Sequence, residues 1–320
     1  MQDLQSVLVV GAGAIGSIIA ATIHRALPGA VRILAGGNRA RRLQADGVRL
    51  NGERLDIPVS PCAGIVAVRD QPDLIVVAVK NHQLGQAMED MRPYVGTGTL
   101  IMSLMNGIGS EDDLTATFGA EHVLHAMIIG IDAVREGNET TFTQAGIINF
   151  GEMENEPGNH SGRVRRIARF FDRAGLRHEV PRNMVRTMWY KYMINVGINQ
   201  VSAILRAPYR VFQTVPEARR IMDAAMLELI TISGALGTGL AVEDLRSWYK
   251  TLDLLSPKGK TSMLQDVEAR RKTEVELFSG TVIRLGLEAG VPTPVNQLLF
   301  DLIRAIEQSY PQPGHSSATT

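Results

Sequence analysis

Residues 7–23 of this chain, VLVVGAGAIGSIIAATI, form an unbroken run of apolar and small residues that constrains the fold more than any other segment. The run begins as a β-branched strand, Gln5–Val10, which ends at a glycine. The glycine-rich turn Gly11–Gly16 follows, and Ala14–Leu27 favours a helix that stops at a proline. A buried strand, a tight turn and the start of a buried helix account for this order.

A run of this length is also close to that of a membrane span. A signal peptide would need positive charge ahead of the apolar residues, and Met1–Gln5 carries only Asp3 as a charged side chain. Three glycines would weaken an isolated spanning helix. We therefore expect no membrane segment and interpret the run as the first unit of an α/β domain.

The turn has the spacing GxGxxG in a strand–turn–helix setting. The first glycine permits the turn, the second lets the backbone approach a pyrophosphate, and the third lets the helix pack closely on the strand. The N–H groups at the start of the helix would then face the phosphates. The pattern predicts a dinucleotide site made by Gly11, Ala12, Gly13, Ala14, Ile15 and Gly16; the alternative is the same turn without a ligand.

The end of the second predicted strand, Val31–Ala35, decides between the two nicotinamide dinucleotides. A site for NAD usually carries an acidic residue there, which accepts a hydrogen bond from the ribose 2′-hydroxyl. Here Gly36–Arg39 contains no carboxylate that would repel a 2′-phosphate, and guanidiniums are available to pair with one. We predict NADP(H), with Arg39 as the phosphate ligand, and interpret Arg41 and Arg42 as a solvated helix start.

Further strands are predicted at Leu74–Val79, Thr99–Leu104 and around 123–129, with helical stretches between them. This order is typical of a twisted, doubly wound parallel sheet. Ligands of such sheets bind beyond the carboxyl ends of the strands. The polar residues that follow two of these strands are therefore expected to contact the cofactor: Lys80, Gln83 and Asn106. A simple strand-terminating turn is the alternative for Asn106.

A length of 320 residues corresponds to about two domains. The strand signal fades after Glu152, except for a short strand at 178–181, and helical patterns dominate from there on. We predict a nucleotide-binding domain over 1–183, a helical domain over 184–310 and a disordered tail over 311–320. The predicted helices of the second domain are Asn183–Leu205, Pro216–Leu236, Val242–Lys250, Ser262–Arg271 and Thr273–Ala289.

Composition excludes several classes of function. The 33 Lys and Arg residues balance 33 Asp and Glu residues, which argues against a basic face for nucleic acid or anionic lipid. The one cysteine, Cys62, cannot form an internal disulfide or a thiolate metal site, and fits a reducing cytosol. The seven histidines show no metal-ligand spacing, so no metal is predicted.

The most informative helix of the second domain is Met188–Leu205, MWYKYMINVGINQVSAIL. Most of it is apolar, which predicts burial, yet Lys191, Asn195 and Asn199 interrupt it. Their spacing of four residues places all three on one face of a helix. A lysine buried without a carboxylate is costly, so a lysine beside two amides indicates a site. The alternative is a solvent-exposed face with an isolated lysine.

Two capping-box patterns lie further along the chain. Ser262 is followed by Gln265, and Thr273 by Glu276, so we expect a helix to start at each. Glu274 then falls in the first turn of the second of these helices. From the pattern alone, Ser262 is a helix cap and Glu274 complements a helix dipole.

Together these segments resemble the ketopantoate reductase (2-dehydropantoate 2-reductase) family. The resemblance spans nearly the whole chain, and the segments that carry it are the fingerprint at 11–16, VAVKNHQ at 77–83, MNGIG at 105–109, KYMINVGIN at 191–199, SMLQDVEARRKTEVE at 262–276 and GVPTPVN at 290–296. It implies an N-terminal Rossmann-type α/β domain and an all-α C-terminal domain like that of 6-phosphogluconate dehydrogenase. It also implies NADPH-dependent reduction of ketopantoate to pantoate, on the route to pantothenate, in the cleft between the domains.

The resemblance also implies a role for each matching residue. Lys191 would be the proton donor and Glu274 an active-site carboxylate that also meets the cofactor. The substrate would be bound by Asn195, Asn199 and Ser262, and Asn106 would meet both the nicotinamide ribose and the substrate. Ala133 would supply a backbone contact to the cofactor.

Four positions depart from the family pattern. Gln200 stands where the family often has proline, and Gly36 where it often has an arginine. Tyr209 lies near the place of a further substrate asparagine, and Asp132 where a small or neutral residue is common. These departures are compatible with hydride transfer, but they leave open which 2-oxo acid is the substrate.

The predicted partner is accordingly a small 2-oxo acid, and the predicted assembly a homodimer in the cytoplasm. Two alternatives remain open at this point. One is a reductase of a different 2-oxo acid on the same scaffold, and the other is a non-catalytic NADP-binding sensor. A pure binder has no need of the lysine, asparagines, serine and glutamate together, which argues against the sensor.

Overall fold

The computed structural model describes residues 3–62, 64 and 66–310. The chain divides between Met188 and Trp189 into two compact units. The division falls a few residues beyond the predicted boundary near 183, within a helix that runs over Met184–Ile194. The predicted disordered tail, 311–320, lies outside the described residues.

The first unit is built on ten strands among the residues described. These are β1 (Val7–Val10), β2 (Val31–Leu34), β3 (Val48–Leu50), β4 (Glu53–Leu55), β5 (Val59–Ser60), β6 (Leu74–Val77), β7 (Leu100–Ser103), β8 (Val123–Glu136), β9 (Glu139–Gly151) and β10 (His178–Glu179). They form one sheet in the order β4-β3-β9-β8-β7-β6-β1-β2-β5, with β10 paired to β9.

The strands β5, β2, β1, β6, β7 and β8 are parallel, as the alternation of strands and helices predicts. The long hairpin of β8 and β9 then adds an antiparallel pair, with a register shift between Asp132 and Ala133. In the short hairpin of β3 and β4, strand β3 pairs with the first residues of β9, Glu139 and Thr140. The sequence pattern does not indicate these two hairpins.

Five α-helices accompany the sheet among the described residues of the first unit, before the helix over Met184–Ile194. They are α1 (Ala14–Ala26), α2 (Gly37–Asp46), α3 (Leu84–Met91), α4 (Ser110–Phe118) and α5 (Gly162–Ala174). Strand β1 shows how they are placed, because its residues alternate between two apolar cores. Val7 and Val9 pack in the core with α1 and α5, whereas Leu8 and Val10 pack in the core with α3 and α4. Helices therefore cover both faces of the sheet, which is the doubly wound arrangement.

The second unit is helical in its described residues. Its helices are α6 (Met184–Ile194, which begins in the first unit), α7 (Gln200–Leu205), α8 (Tyr209–Thr214), α9 (Pro216–Leu236), α10 (Glu243–Leu252), α11 (Ser262–Glu268), α12 (Thr281–Ala289) and α13 (Pro294–Gln308). Two π-helical turns interrupt this series, at Asn195–Asn199 and Glu276–Gly280. The fold is thus a Rossmann-type domain followed by a helical domain.

The apolar run 7–23 is divided between β1 and α1 inside this fold. None of the helices in the described part of the chain is long and apolar enough to cross a membrane. The described residues also contain no group of three or more His, Cys, Asp and Glu side chains that could hold a metal ion.

Candidate functional site

The carboxyl ends of four parallel strands meet at the same level of the sheet. Val10, the last residue of β1, is in register with Leu34 of β2 and with Val77 of β6, and Val77 is in register with Ser103 of β7. The loops that leave these strands therefore emerge side by side. They carry the glycine-rich turn, the arginines of α2, Lys80 and Asn106.

The glycine-rich turn requires glycine at its first and third positions. Gly11 has a φ of +103°, and a Cβ there would lie 2.6 Å from the carbonyl oxygen of Ala78. A Cβ on Gly16 would lie 1.9 Å from the carbonyl oxygen of Gly11. A side chain at either position would therefore collide with backbone, as expected for the close helix–strand packing of a dinucleotide fingerprint.

Gly13 serves a different purpose, because a Cβ there would meet no atom closer than 3.9 Å. Gly13 is the N-cap of α1, no side chain caps that helix end, and its first turn has no acidic residue. Orphan N–H groups and the positive end of the helix dipole are thus available to an anion. This arrangement fits the pyrophosphate of a dinucleotide.

Beside the start of α1, three arginines line one pocket of about 240 Å³: Arg39, Arg42 and Arg135. We call this site the arginine pocket; its lining also includes Ser17 of α1 and Val48 of β3. Arg39, the predicted phosphate ligand, is one of the residues that line it. Arg42 also lines the pocket, and it is exposed, which agrees with its interpretation as a solvated residue of the helix. Arg41 is exposed and donates a hydrogen bond to Asn38.

Arg135 is the site residue that the sequence analysis missed. It lies near the end of β8, and its guanidinium donates hydrogen bonds to the carbonyl oxygen of Ala12 and, at 3.2 Å, to the hydroxyl of Ser17. It is thereby tied to the glycine-rich turn. Burial, followed by the charges of Arg39 and Arg42, lowers its pKa. An isolated arginine in a strand carries no local signal of this contact.

After β6 the chain enters a short helical turn, Asn81–Gln83. The Gln83 side chain accepts a hydrogen bond of 3.3 Å from the backbone N–H of Lys80 and thus shapes this turn. Lys80 itself is partly exposed at the sheet edge. Ala133, the expected backbone contact, lies partly buried in β8 next to the register shift.

After β7 the loop that carries Asn106 rests on a buried polar cluster. The hydroxyl of Ser110 lies 2.8 Å from that of Ser103 and 3.0 Å from a carboxylate oxygen of Glu111. Glu111 is only 3% exposed, and burial raises its pKa to about 7. Asn106 is partly exposed, and the next residue, Gly107, has a φ of +95° that favours glycine.

In the second unit, the predicted triad of Lys191, Asn195 and Asn199 follows one continuous helical path. Lys191 lies in the last turn of α6, and the two asparagines open and close the π-helical turn. Four residues of an ideal α-helix overshoot a full turn by about 40°. A π turn holds more residues per turn and reverses that drift, which keeps Asn199 aligned with Lys191. Asn199 is 6% exposed, whereas the other two side chains are partly exposed.

Ser262 is not the cap of its helix. The N-cap of α11 is Thr261, whose hydroxyl accepts a hydrogen bond of 3.2 Å from the N–H of Leu264. Ser262 is the first helical residue and is exposed. The capping interpretation of Ser262 is therefore wrong. Since Thr261 performs that task, capping does not account for the Ser262 hydroxyl.

Glu274 lies two residues before the second π-helical turn and is 8% exposed. Its carbonyl oxygen accepts hydrogen bonds of 3.0 Å from the N–H groups of Leu277 and Phe278. The second capping box is not formed, because the Thr273 hydroxyl instead donates to Glu307 at 2.7 Å. That bond ties the segment to α13.

The elements that carry these residues pack on one another within the second unit. Helix α11 contacts α7 and the first π-helical turn, and the two π-helical turns contact each other. The buried hydroxyl of Tyr192, next to Lys191, donates its one proton between two carbonyl oxygens, those of Leu277 at 2.9 Å and Phe278 at 2.7 Å. The helix of Lys191 is thereby fixed to the segment that follows Glu274.

Two departures from the family pattern have a structural explanation. Gln200 is 0% exposed; its amide donates to the carbonyl oxygen of Val196 at 2.7 Å and accepts from the Ser279 hydroxyl at 2.6 Å. It joins the two π-helical turns and does not face a substrate. Asp132 accepts a hydrogen bond of 2.7 Å from Thr143 across the β8–β9 hairpin.

Tyr209 is the departure that lies close to the site. Its ring packs on Gly259, where a Cβ would come within 2.8 Å of the ring. Its backbone N–H donates to the carbonyl oxygen of Gly259 at 3.0 Å. The tyrosine thus borders the loop that leads to Thr261 and Ser262.

Comparisons with known proteins match the chain in two consecutive segments. A family model described as "Ketopantoate reductase PanE/ApbA" matches residues 7–155, and one described as "Ketopantoate reductase PanE/ApbA C terminal" matches residues 183–307. The chain belongs to the ketopantoate reductase family. It is therefore an oxidoreductase that uses a pyridine nucleotide and acts on a CH–OH/C=O pair.

Individual proteins resemble it over almost their full length. The 2-dehydropantoate 2-reductase of Aquifex aeolicus (strain VF5) is 26% identical over 305 residues, which cover 94% of this chain and 96% of that protein. The ternary structure of D-mandelate dehydrogenase with NADH and anilino(oxo)acetate has a TM-score of 0.85 at 22% identity and covers 95% of this chain and 99% of the other. A dimeric ketopantoate reductase from Staphylococcus aureus has a TM-score of 0.78 at 21% identity, with the same coverage. The last two likenesses show the shared fold.

Proposed function

We propose that this chain reduces 2-dehydropantoate (ketopantoate) to pantoate with NADPH, and so supplies pantoate for pantothenate synthesis. The observation that carries the proposal is the packing of one helical path, which bears Lys191, Asn195 and Asn199, onto the segments that bear Ser262 and Glu274. These residue types suit a 2-oxo acid. The lysine, the amides and the hydroxyl can donate to its oxygens, and the carboxylate can accept from a hydroxyl group or from the lysine.

The first unit provides the groups that would hold the dinucleotide. The uncapped start of α1 suits the pyrophosphate, and Arg39 suits a 2′-phosphate. Lys80, Gln83 and Asn106 follow strands at the same sheet edge, and Ala133 offers backbone groups in β8. A bound reduced nicotinamide supplies the hydride that adds to C2 of the 2-oxo acid.

Lys191 is the residue that would complete the reduction. Hydride addition leaves negative charge on the former carbonyl oxygen, and an ammonium group stabilises that charge and then donates a proton to it. Glu274 would keep the ammonium charged and oriented, or bind a hydroxyl of the substrate or of the nicotinamide ribose. Both tasks suit a carboxylate that is almost fully buried.

The remaining polar groups would hold the substrate. We assign the substrate carboxylate to the hydroxyl of Ser262, because Thr261 already caps α11. Asn195 and Asn199 would align the other oxygens, and Asn106 would meet both the substrate and the nicotinamide ribose. Each is a neutral donor and acceptor, so it can fix orientation without adding charge.

A second candidate is reduction of a different 2-oxo acid on the same scaffold. Tyr209 favours it, because an aromatic ring beside the Thr261–Ser262 loop alters the space and polarity available to a substrate side chain. The likeness to D-mandelate dehydrogenase, whose structure holds anilino(oxo)acetate, suggests aryl 2-oxo acids for the comparison.

The test is a panel of 2-oxo acids, assayed with NADPH and NADH in parallel through the absorbance of the reduced nicotinamide. Ketopantoate is expected to give the highest kcat/KM, with NADPH. A higher value for an aryl 2-oxo acid would favour the second candidate. Oxidation of neither cofactor by any acid, with cofactor binding intact, would favour a sensor and contradict the proposal.

We include a homodimer and a cytoplasmic location in the proposal. The Staphylococcus aureus structure is described as dimeric, and Leu298 and Leu302, one turn apart on α13, are 59% and 40% exposed. Such a pair favours contact with another apolar surface. The single cysteine fits a reducing compartment. Light scattering after gel filtration tests the dimer, and localisation of a tagged chain tests the compartment.

A further inference from the structure

The arginine pocket contains more positive charge than its surroundings balance. Among the described residues that line it, three are arginines and none is acidic. Within the described part of the chain, none of the three guanidiniums forms an ion pair. Burial and the neighbouring guanidinium charge lower the pKa values of Arg39 and Arg135. Like charges brought together in a partly desolvated pocket repel, so a bound anion would stabilise this region.

The position of the pocket indicates which anion it takes. Ser17 lies in the first turns of α1, and Arg39 lies at the start of α2, so both follow strand ends at the sheet edge. In this fold the adenosine ribose lies by the end of the second strand, β2. Its 2′-position therefore comes close to α2, which contributes Arg39, Arg42 and Leu43 to the lining of the pocket.

Arg135 joins this pocket to the turn that would hold the pyrophosphate. The same guanidinium nitrogen donates to the Ala12 carbonyl oxygen and to the Ser17 hydroxyl. Its Nε donates to the carbonyl oxygen of Gly137 at 3.2 Å. The second terminal nitrogen, Nη2, remains available to an anion, since a guanidinium carries five N–H donors in a fixed fork. The hairpin that carries Arg135 thus presents a guanidinium, already oriented, beside the ribose site.

We propose that the arginine pocket binds the 2′-phosphate of NADPH, and that Arg135 and Arg42 are specificity-determining residues that act together with Arg39. This set replaces the arginine that the family often carries at the position of Gly36. The inference rests on the proposed use of NADPH, and it commits to a phosphate monoester on the adenosine ribose.

The test measures binding and needs no turnover. Dissociation constants for adenosine 2′-monophosphate, adenosine 5′-monophosphate, NADPH and NADH are measured by calorimetry for the wild type, Arg135→Met and Arg42→Met. Loss of one charge-assisted hydrogen bond to the phosphate is expected to weaken adenosine 2′-monophosphate and NADPH about 10- to 100-fold. NADH and adenosine 5′-monophosphate are expected to keep their affinity. Arg49→Met, an exposed arginine of β3 outside the pocket, is the charge-matched control.

Each outcome separates the inference from the proposed function. Unchanged NADPH affinity in both variants would overturn the role of the pocket. An equal loss for NADPH and NADH in Arg135→Met, with no loss in Arg42→Met, would mean that Arg135 only shapes the glycine-rich turn. Inorganic phosphate that displaces NADPH and NADH equally would also contradict a 2′-phosphate site. If no 2-oxo acid is reduced, the proposed reaction fails while the nucleotide affinities still test the pocket.

Discussion

The Ser279 hydroxyl donates a hydrogen bond of 2.6 Å to the side-chain carbonyl of Gln200. Gln200 directly follows the first π-helical turn, and Ser279 belongs to the second. Ser279 also lies 3.0 Å from Asn296, which donates to Glu228 at 2.7 Å. Because a π turn breaks the regular backbone ladder, such side-chain bonds are needed to satisfy its polar groups.

We predict that Gln200→Leu lowers the free energy of unfolding. It would remove the bond from the Gln200 amide to the Val196 carbonyl and would leave the Ser279 hydroxyl with Asn296 alone, at roughly 1–3 kcal/mol in total. Denaturant unfolding measures the loss. The control is Gln297→Leu, an exposed glutamine on α13. Equal stability of the two variants would show that the buried network contributes nothing.

The fold followed from the sequence where local chemistry decides it. The run 7–23 predicted β1 and α1 within a few residues, because a buried strand and a glycine-rich turn leave little choice. Pro216–Leu236 was predicted with the bounds of α9, since proline at its start and glycine after its end mark them. The π-helical turns were missed because their residues fit an α-helix equally well.

The parts of the site that depend on distant segments were not predictable. Arg135 reaches Ala12 only because the β8–β9 hairpin passes the start of α1, and nothing near Arg135 in the sequence indicates that. The cap of α11 was assigned to Ser262 although Thr261 is an equally good capping residue. Pattern alone does not separate two adjacent hydroxyls.

Thr261 and Ser262 are therefore expected to respond in opposite ways to removal of their hydroxyls. Thr261→Ala removes the cap of α11 and is expected to cost about 0.5–2 kcal/mol of stability. Ser262→Ala should leave stability unchanged and raise KM for the 2-oxo acid roughly tenfold or more. Thermal unfolding and steady-state kinetics on both variants measure the two effects. A Ser262→Ala variant with normal KM would remove Ser262 from the substrate site.

Lys191→Ala is expected to lower kcat by at least about 10²–10³, because it removes the charge and the proton donor needed at the developing alkoxide. The dissociation constant for NADPH should not change, since the groups proposed for the dinucleotide lie elsewhere in the chain. Single-turnover kinetics and a binding titration measure the two quantities. Lys250→Ala, an exposed lysine of α10, is the matched control. Near-normal turnover of Lys191→Ala would contradict the proposed proton donor.

Glu111 is expected to make stability depend on pH between about 4.5 and 7. Burial raises the pKa of this carboxyl to about 7 in the folded state, above its value of about 4.3 in an unfolded chain. The folded state therefore binds the proton more tightly than the unfolded state. The stabilisation that comes from this tighter binding is fully present below about pH 4.5 and is lost as the pH rises to about 7.

Glu111→Gln removes this dependence and is expected to stabilise the protein at pH 8 by on the order of 3 kcal/mol relative to the wild type. Denaturant unfolding from pH 5 to pH 8 measures the difference between the two proteins. Burial lowers the pKa of His125, which makes stability depend on pH in the opposite direction. Both proteins carry His125, so its effect cancels when their stabilities are subtracted. Asp113→Asn, an exposed carboxyl on the same helix, is the control. A wild type and Glu111→Gln with parallel stability curves would mean that Glu111 keeps an ordinary pKa beneath the Asn106 loop.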